Sequence, residues 1–318
     1  MAEKNLVVIG GGAAGFFCAV NAARLNALLS VTLLEKSGKL LSKVKVSGGG
    51  RCNVTHAGDS IAAMSRQYPR GERFLKKAFH HFFTADTIQW FAERGVELVT
   101  EPDGRMFPVS NSSQTIMDCL LSEAGKYKVE IRMNAEVKAI DNQQSDNHRF
   151  ILEMANGKKL PADYVCIACG GFPKLAQFAW LKELGHSITE PVPSLFTFNI
   201  PGNNITSLMG ISAEALIKIA GTKLQYQGPL LITHWGFSGP AVLKLSAWGA
   251  RELAKLNYHF TIMVNWLPAY NEATMKDKLQ QVRFEIASQK IINRNPFGLP
   301  SRLWEYLLQL CGVNVEAR

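Results

Sequence analysis

The chain has 318 residues, 47% of them hydrophobic and 19% charged. That balance excludes general disorder and leaves room for one large or two ordinary domains, each with its own core. Lys and Arg outnumber Asp and Glu by 35 to 26, a net charge of +9, which suits an anionic cofactor or substrate and also nucleic acid.

Residues 5–9 (NLVVI) read as a strand that ends in Gly10-Gly11-Gly12-Ala13-Ala14-Gly15. A helical stretch follows (GFFCAVNAARLNA), then a second strand over 30–35 (SVTLLE) that ends in an acid. The N-terminal apolar run is thus a strand and not a signal peptide, and no run approaches the roughly 20 residues that span a bilayer. A cytoplasmic location without a membrane partner is the default expectation. Residues 37–56 are rich in Gly, Lys and Ser. Residues 72–95 read as two helices, the second with Thr84 as N-cap. A turn at Pro102-Asp103-Gly104 separates two extended pieces, and SSQTIMDCLLSEAG reads as a Ser-capped helix. Strands are expected over 129–140 and 149–169, with turns at 141–147 and Asn156-Gly157. After Pro191 the composition becomes that of a β-rich second domain, PVPSLFTFNI and GTKLQYQGPLLITHWGFSGPAVL reading as strands and turns. Helices are expected over 271–290 and 300–310. The division is therefore a dinucleotide-type domain over 1–190 and a second domain over 191–318.

Two glycine stretches carry the chemistry. In Gly10-x-Gly12-x-x-Gly15 the first glycine permits a tight turn, the second lets a pyrophosphate approach, and the third allows close helix–strand packing. The helix N-terminus supplies N–H donors to phosphate. Glu35, about 20 residues on, stands where an acid receives ribose hydroxyls and repels a 2′-phosphate. NAD or the adenosine half of FAD is expected there, not NADP. The second stretch, VSGGGRCNVTH, places Gly48, Gly49 and Gly50 before Arg51, Cys52 and Asn53. Ordering three glycines is costly in entropy. A backbone surface closing on a flat flavin, with Arg51 and Asn53 as added donors, is the functional reading, and a loose surface loop is the bland one.

The pieces GGGAAG, SGGGRCN, GRMFP, ACGG and LLITHWGFSGPAVLKLS occur in one order. Together they resemble the aminoacetone-oxidase-like family of FAD-dependent oxidoreductases, which includes the bile-acid-inducible flavoproteins. The resemblance implies an α/β fold: a Rossmann-like FAD domain of the glutathione-reductase type, with a parallel sheet and β-meander, and an inserted β-rich and helical domain. It implies an enzyme acting on a small-molecule substrate, with hydride passing through flavin N5. By the same resemblance Gly10, Gly11, Gly12, Ala13, Ala14, Gly15, Glu35 and Lys36 fall at the adenosine–pyrophosphate end. Gly49, Gly50, Arg51, Cys52 and Asn53 fall near the flavin, with Lys43 also counted as cofactor-binding. Val137 matches a strand that reads the adenine edge, and Ala168 and Gly170 match the turn beneath the pyrophosphate. Family members end with a strand and a glycine-rich segment of the type GLYFAGE…DGxxGGYN. That segment does not occur in these 318 residues, so a truncated form with an exposed sheet edge is expected. A second G-x-G-x-x-G is also absent, so NAD(P)H, if used, is expected to bind only transiently.

Other residues have two readings each. His234 is a proton donor at a flavin or a hydrogen-bonded structural residue at a strand end. Arg105 reaches a phosphate or braces its hairpin. Cys52 is a redox thiol or packs near the flavin, and Trp235, Phe237 and the 196–198 aromatics are core in preference to a substrate box. Cys166-x-x-Cys169 lies on a strand whose odd offset sends the two thiols to opposite faces, and no metal site is expected. His80 and His81 are expected to be exposed, and His186 to sit in a turn. The positive charge is spread along the chain without a block of five or six, which disfavours nucleic acid as a partner. A nucleic-acid-associated flavoprotein and a catalytically inactive remnant stand as the alternatives.

Overall fold

The computed structural model describes residues 4–58, 60–142, 149–285 and 290–314. The chain separates into two compact units, Met1–Pro191 and Val192–Arg318.

The first unit opens with β1 (Lys4–Ile9), α1 (Ala13–Leu25) and β2 (Leu29–Leu34). Next come α2 (Ser42–Val46), β3 (Thr55–His56), α3 (Ile61–Ser65), α4 (Glu72–Phe79), α5 (Thr84–Ala92), β4 (Leu98–Thr100) and β5 (Arg105–Pro108). It continues through α6 (Ser113–Lys126), β6 (Glu130–Arg132), β7 (Val137–Asp141), β8 (Phe150–Met154), β9 (Lys159–Ala162), β10 (Tyr164–Ile167) and α7 (Ala179–Glu183).

A parallel sheet runs in the order β10-β1-β2-β6. The near-continuous apolar character of β1 follows from burial on both faces. Leu6 and Val8 enter the core built with α1 and α6, while Val7 and Ile9 enter the core built with the antiparallel meander β7-β8-β9. The chain leaves β1 toward β2 on one side, and β10 pairs on the other. The carboxyl end of β1 is therefore a topological switch point, where open α/β sheets bind ligands. Gly10, Glu35 and Ala168 each follow the last residue of a parallel strand there.

Two details differ from expectation here. Thr84 is the first residue of α5 and not its cap: Phe83 holds the cap position with extended backbone, and the Asp86 carboxylate accepts its N–H at 2.6 Å. The carboxylate one turn in satisfies the cap residue's own N–H, the half of a capping box that reaches back from inside the helix. The turn expected over 141–147 lies largely outside the described residues.

The second unit contains β11 (Phe198–Asn199), β12 (Ser212–Ile219), β13 (Gln225–Ile232), β14 (Gly236–Ser238), α8 (Pro240–Lys255), β15 (Ile262–Asn265), α9 (Glu272–Glu285) and α10 (Ser301–Leu310). Its antiparallel sheet runs β11-β14-β13-β12-β15. In β12 the alternating Ala215, Ile217 and Ile219 point into the core, as period-2 patterning requires. The tail of the GFSGPAVL stretch is not strand or turn: Pro240 opens the 16-residue helix α8, where a missing N–H costs nothing. Of the helix expected over 271–290, residues 286–289 lie outside the described residues. No described helix is long and apolar enough to cross a membrane.

Candidate dinucleotide-binding site

The turn after β1 is closed on two sides and open on a third. Gly10 has φ +117°, and a Cβ there would lie 2.5 Å from the Ala168 carbonyl oxygen. A Cβ on Gly15 would fall inside the Gly10 carbonyl oxygen, so only glycine lets α1 lie this close to β1. Gly12 faces nothing within 4 Å and caps α1 without a side-chain bond. The first-turn N–H groups of α1 are thus open to an anion. This is the cradle a pyrophosphate requires.

Beside it lies a cavity of about 470 Å³ whose walls include Glu35, Lys36, Val137, Cys169, Phe172 and Trp180. Glu35 Oε2 accepts the Gly11 N–H at 2.9 Å, and Oε1 accepts the Ser37 N–H and Ser37 Oγ, both at 2.8 Å. Burial pushes the Glu35 carboxyl up, but these bonds and the Lys36 charge outweigh it and hold the carboxyl below its usual range. Glu35 is thus a fixed anion beside the glycine turn. Gly170 has φ +74°, and the Lys43 ammonium lies 3.6 Å from where its Cβ would be. Lys43 and the 168–171 turn therefore meet.

The triple glycine forms a tight loop. Gly48, Gly49, Gly50 and Cys52 all have positive φ, at 57°, 70°, 89° and 64°. Cys52 N–H closes the loop on the Ser47 carbonyl at 2.9 Å. Gly48 is walled by the Phe107 ring, whereas Gly49 and Gly50 face nothing within 4 Å. The loop is therefore ordered on one side and presents bare backbone on the other. Arg51 is held by the protein, with Nη1 2.6 Å from Glu101 Oε1 and the guanidinium 4.0 Å from the Phe107 ring centre. The Thr55 and Met106 carbonyls, 2.9 and 3.3 Å away, select the Asn53 amide orientation in which the nitrogen donates to both. These two side chains build the loop from its protein side. Burial raises the Cys52 thiol, which keeps it neutral. A second cavity, of about 530 Å³, lies against Ala13, Ala14, Lys43, Ser47, Cys52 and Asn53. Its far wall is apolar, made by Phe17, Phe82, Phe91 and Leu120 among others.

The structure thus gathers Gly10–Gly15, Glu35, Lys36, Lys43, Cys52, Asn53, Val137, Ala168 and Gly170 about one helix terminus, with Gly49 and Gly50 next to the second cavity in the chain. The aromatic wall residues Phe17, Phe82 and Phe91, and Phe172 and Trp180 at the other end, were not legible as site residues. Phe17 on α1 and Phe91 on α5 carry the same helical spacing as core residues, while Phe82 and Phe172 lie in loops and Trp180 on the short α7.

Elsewhere the two-way readings resolve. Arg105 braces its hairpin, with Nε 2.7 Å from Asp103 Oδ2 and Nη2 3.2 Å from Glu101 Oε2. His80, His81 and His186 are exposed. His234 is exposed, its ring edge against Trp235, and makes no hydrogen bond among the described residues. Trp235 is 41% exposed, not core, because the tight turn before β14 points it outward. Phe198 and Phe237 are buried, and with Phe196, Tyr258, Phe260 and Tyr306 they line a cavity of about 830 Å³ within the second unit. No cluster of three metal-ligating side chains occurs among the described residues.

Cys166 and Cys169 do face opposite ways, Cys166 packing on the α1 side of the sheet and Cys169 on the meander side. The Cys18 and Cys166 thiols act on each other as a pair, an influence that pulls Cys166 down to about 7 against the effect of burial and raises Cys18. In a Cys311→Ser background, alkylation of Cys166 is expected to reach half its limiting rate near pH 7. Cys18→Ala should move that midpoint up by a unit or more, toward an ordinary thiol at about 8.5. An unchanged midpoint would show that the thiol pair does not set it.

Residues 4–316 match the family described as HI0933-like protein Rossmann domain. A ribosomal RNA dihydrouridine synthase of Haemophilus influenzae is 30% identical over 95% of this chain and 73% of its own length. A protein of the same name from Escherichia coli is 29% identical over 98% of this chain and 74% of its own. A 3-dehydro-bile acid delta(4,6)-reductase of Clostridium scindens is 27% identical over 83% of this chain and 65% of its own.

Proposed function

We propose, since this chain belongs to the HI0933-like Rossmann-domain family, that it is an FAD-dependent reductase acting on a polarised carbon–carbon double bond in a ring. The observation that carries the cofactor is the glycine turn, closed at Gly10 and Gly15, open at Gly12, and flanked by one cavity at Glu35 and another at Cys52. A dinucleotide needs two separate ring pockets joined at a pyrophosphate cradle. The aminoacetone-oxidase name is finer than the family and is not needed for this reading.

The cofactor residues have distinct tasks. The first-turn N–H groups of α1 hold the pyrophosphate, and the Lys43 ammonium neutralises it from the side of Gly170. Glu35 accepts from the adenosine ribose, and Val137 lines the adenine end. Gly49 and Gly50 admit the flavin edge to bare backbone. The neutral Cys52 thiol packs without adding charge, and Phe17, Phe82 and Phe91 exclude water. When bound, FAD supplies hydride transfer at N5. NAD(P)H is the proposed reductant and binds transiently.

The substrate class rests on the relatives. A dihydrouridine synthase and a delta(4,6)-reductase, by their names, each make a product with one ring double bond fewer. Of the two substrate classes, the exposed cations and aromatic rings on and before α4 favour RNA over a steroid.

The test is a visible absorption spectrum of the purified chain, with and without added FAD. Flavin bands that co-purify or saturate at one FAD per chain are expected. Lys43→Met should weaken FAD at least tenfold, by removing a charge-assisted phosphate contact. A chain that stays colourless with excess FAD would remove the cofactor reading for these 318 residues.

A further inference from the structure

Between Arg66 and His81 the sequence RQYPRGERFLKKAFHH holds five Lys and Arg and one acid, Glu72. None of these cations adjoins more than one other in sequence, so no charge run stands out. The fold gathers them. Arg73, Lys76, Lys77 and His80 recur at i, i+3, i+4 and i+7, and α4 continues with helical backbone at His80. They therefore share one face. All four are exposed, and Arg66 and Arg70 are exposed just before the helix. Among the described residues, no carboxylate pairs with Arg73, Lys76 or Lys77.

Aromatic side chains lie beside the cations. Phe74 is 75% exposed and lies about 100° round the helix from Arg73, on the flank of the cationic face nearest Lys77. Tyr68 is 41% exposed, its ring centre 6.0 Å from that of Phe79. An exposed aromatic among cations is the pattern that binds a single-stranded nucleic acid: charges track phosphates and rings stack on unpaired bases. A lipid surface would need the apolar face of α4 free to enter the acyl region. That face is occupied, because Leu75, Ala78 and Phe79 turn inward and Phe79 packs edge-on against Phe83 at 5.4 Å. Only Phe74 is left to insert.

The helix also leads somewhere. Two residues past His80 comes Phe82, whose ring stands 5.2 Å from Phe17, and both line the cavity of Cys52 and Asn53. The cationic stripe thus ends at the rim of the cavity assigned above to the flavin ring.

We propose that the α4 face bearing Arg73, Lys76, Lys77 and His80, with Phe74 and Tyr68, holds a single-stranded RNA segment and leads one base to the cavity at Cys52 and Asn53. The surface itself stands on charge and exposure. Delivery of a base for reduction rests on the flavin reading of that cavity.

The experiment measures binding of the purified chain to a 30-nucleotide RNA hairpin with a uridine-rich loop, by fluorescence anisotropy from 50 to 300 mM salt. The comparison is with the triple variant Arg73→Gln, Lys76→Gln, Lys77→Gln. Affinity is expected to fall at least tenfold at 100 mM salt, and the slope of log affinity against log salt to shrink by about 2, as losing three phosphate contacts requires. Phe74→Ala should cost about tenfold with the slope unchanged, because stacking carries no counterions. A control pair on α9, Lys276→Gln and Arg283→Gln, should leave both quantities as they are. Far-UV circular dichroism checks that each variant is folded.

Equal losses in the α9 control would reduce the effect to net charge and overturn the assignment. So would no RNA binding at 50 mM salt, or binding to phosphatidylglycerol vesicles lost in the triple variant while RNA binding persists. The flavin spectrum of the same preparations is read separately. A colourless chain that still binds RNA through α4 would fail the cofactor reading and keep the surface.

Discussion

Gly15→Ala is expected to abolish FAD binding and to destabilise the first unit by about 3 kcal/mol or more. The added Cβ would occupy the Gly10 carbonyl oxygen, a backbone atom that cannot rotate away. Gly10 is itself fixed, because its N–H donates to the Leu34 carbonyl at 2.7 Å and the Ala168 backbone fills the space where its side chain would be. Relief requires α1 to move off the sheet. That loosens the packing of Phe16, Ala19 and Val20, all fully buried, and overpacking at such a contact costs more than an ordinary core change. The same movement displaces the first-turn N–H groups from the pyrophosphate. Denaturant titration and FAD titration of one preparation check both effects. By contrast Gly12→Ala meets open space. It should leave stability within about 0.5 kcal/mol while still weakening FAD, since its Cβ would stand where phosphate approaches. Equal stability losses at the two positions would contradict this account of the turn.

Arg94→Met is expected to destabilise the first unit by about 3–5 kcal/mol. Arg94 and Glu123 form a deeply buried ion pair, with side chains 9% and 8% exposed and Nε 2.8 Å from Oε2. Arg94 also donates to the Trp90 carbonyl at 2.7 Å and stacks 3.9 Å over the Trp90 ring. Removing the guanidinium leaves the Glu123 carboxylate buried, with only the exposed Lys126 to meet it. For a unit of this size the loss corresponds to roughly 10 °C in Tm. The double change Arg94→Met with Glu123→Leu should recover most of it, because an apolar pair leaves no orphan charge. Arg94→Lys should recover less, lacking the planar fork that serves carboxylate, carbonyl and ring together. A single variant within 1 kcal/mol of the parent would show that solvent relaxes into the α5–α6 contact.

Much of the cofactor end could be read without coordinates. Strand, glycine turn, helix, strand and acid is a local order, and each glycine's role follows from backbone sterics within a few residues. Glu35 sits where it must because β2 ends one residue earlier. The individual strands and the β-rich second unit were legible for the same reason, their hydrophobic patterns being local, whereas the parallel sheet followed from the family resemblance. The helix α5 begins one residue earlier than read, because the carboxylate that fixes its start, Asp86, binds the N–H of Phe83 from inside the helix. Helix α8 was missed because its glycine and proline read as a turn, whereas Pro240 in fact opens the helix.

What the chain's order of residues settles by itself is the backbone chemistry: where it must turn, where glycine is obligatory, and that the turn can receive a phosphate. What only the folded chain settles is which distant side chains become neighbours. Arg51 looks like a free donor until Glu101 and Phe107 are brought beside it. Lys43 becomes a phosphate-side group only because the turn at Gly170 arrives above it. The cations of 66–80 look scattered until a helical period of 3.6 turns four of them to one side. Local sterics act over a few residues and can be read in one dimension. Charge pairing and cavity walls act through space, and their partners are chosen by packing.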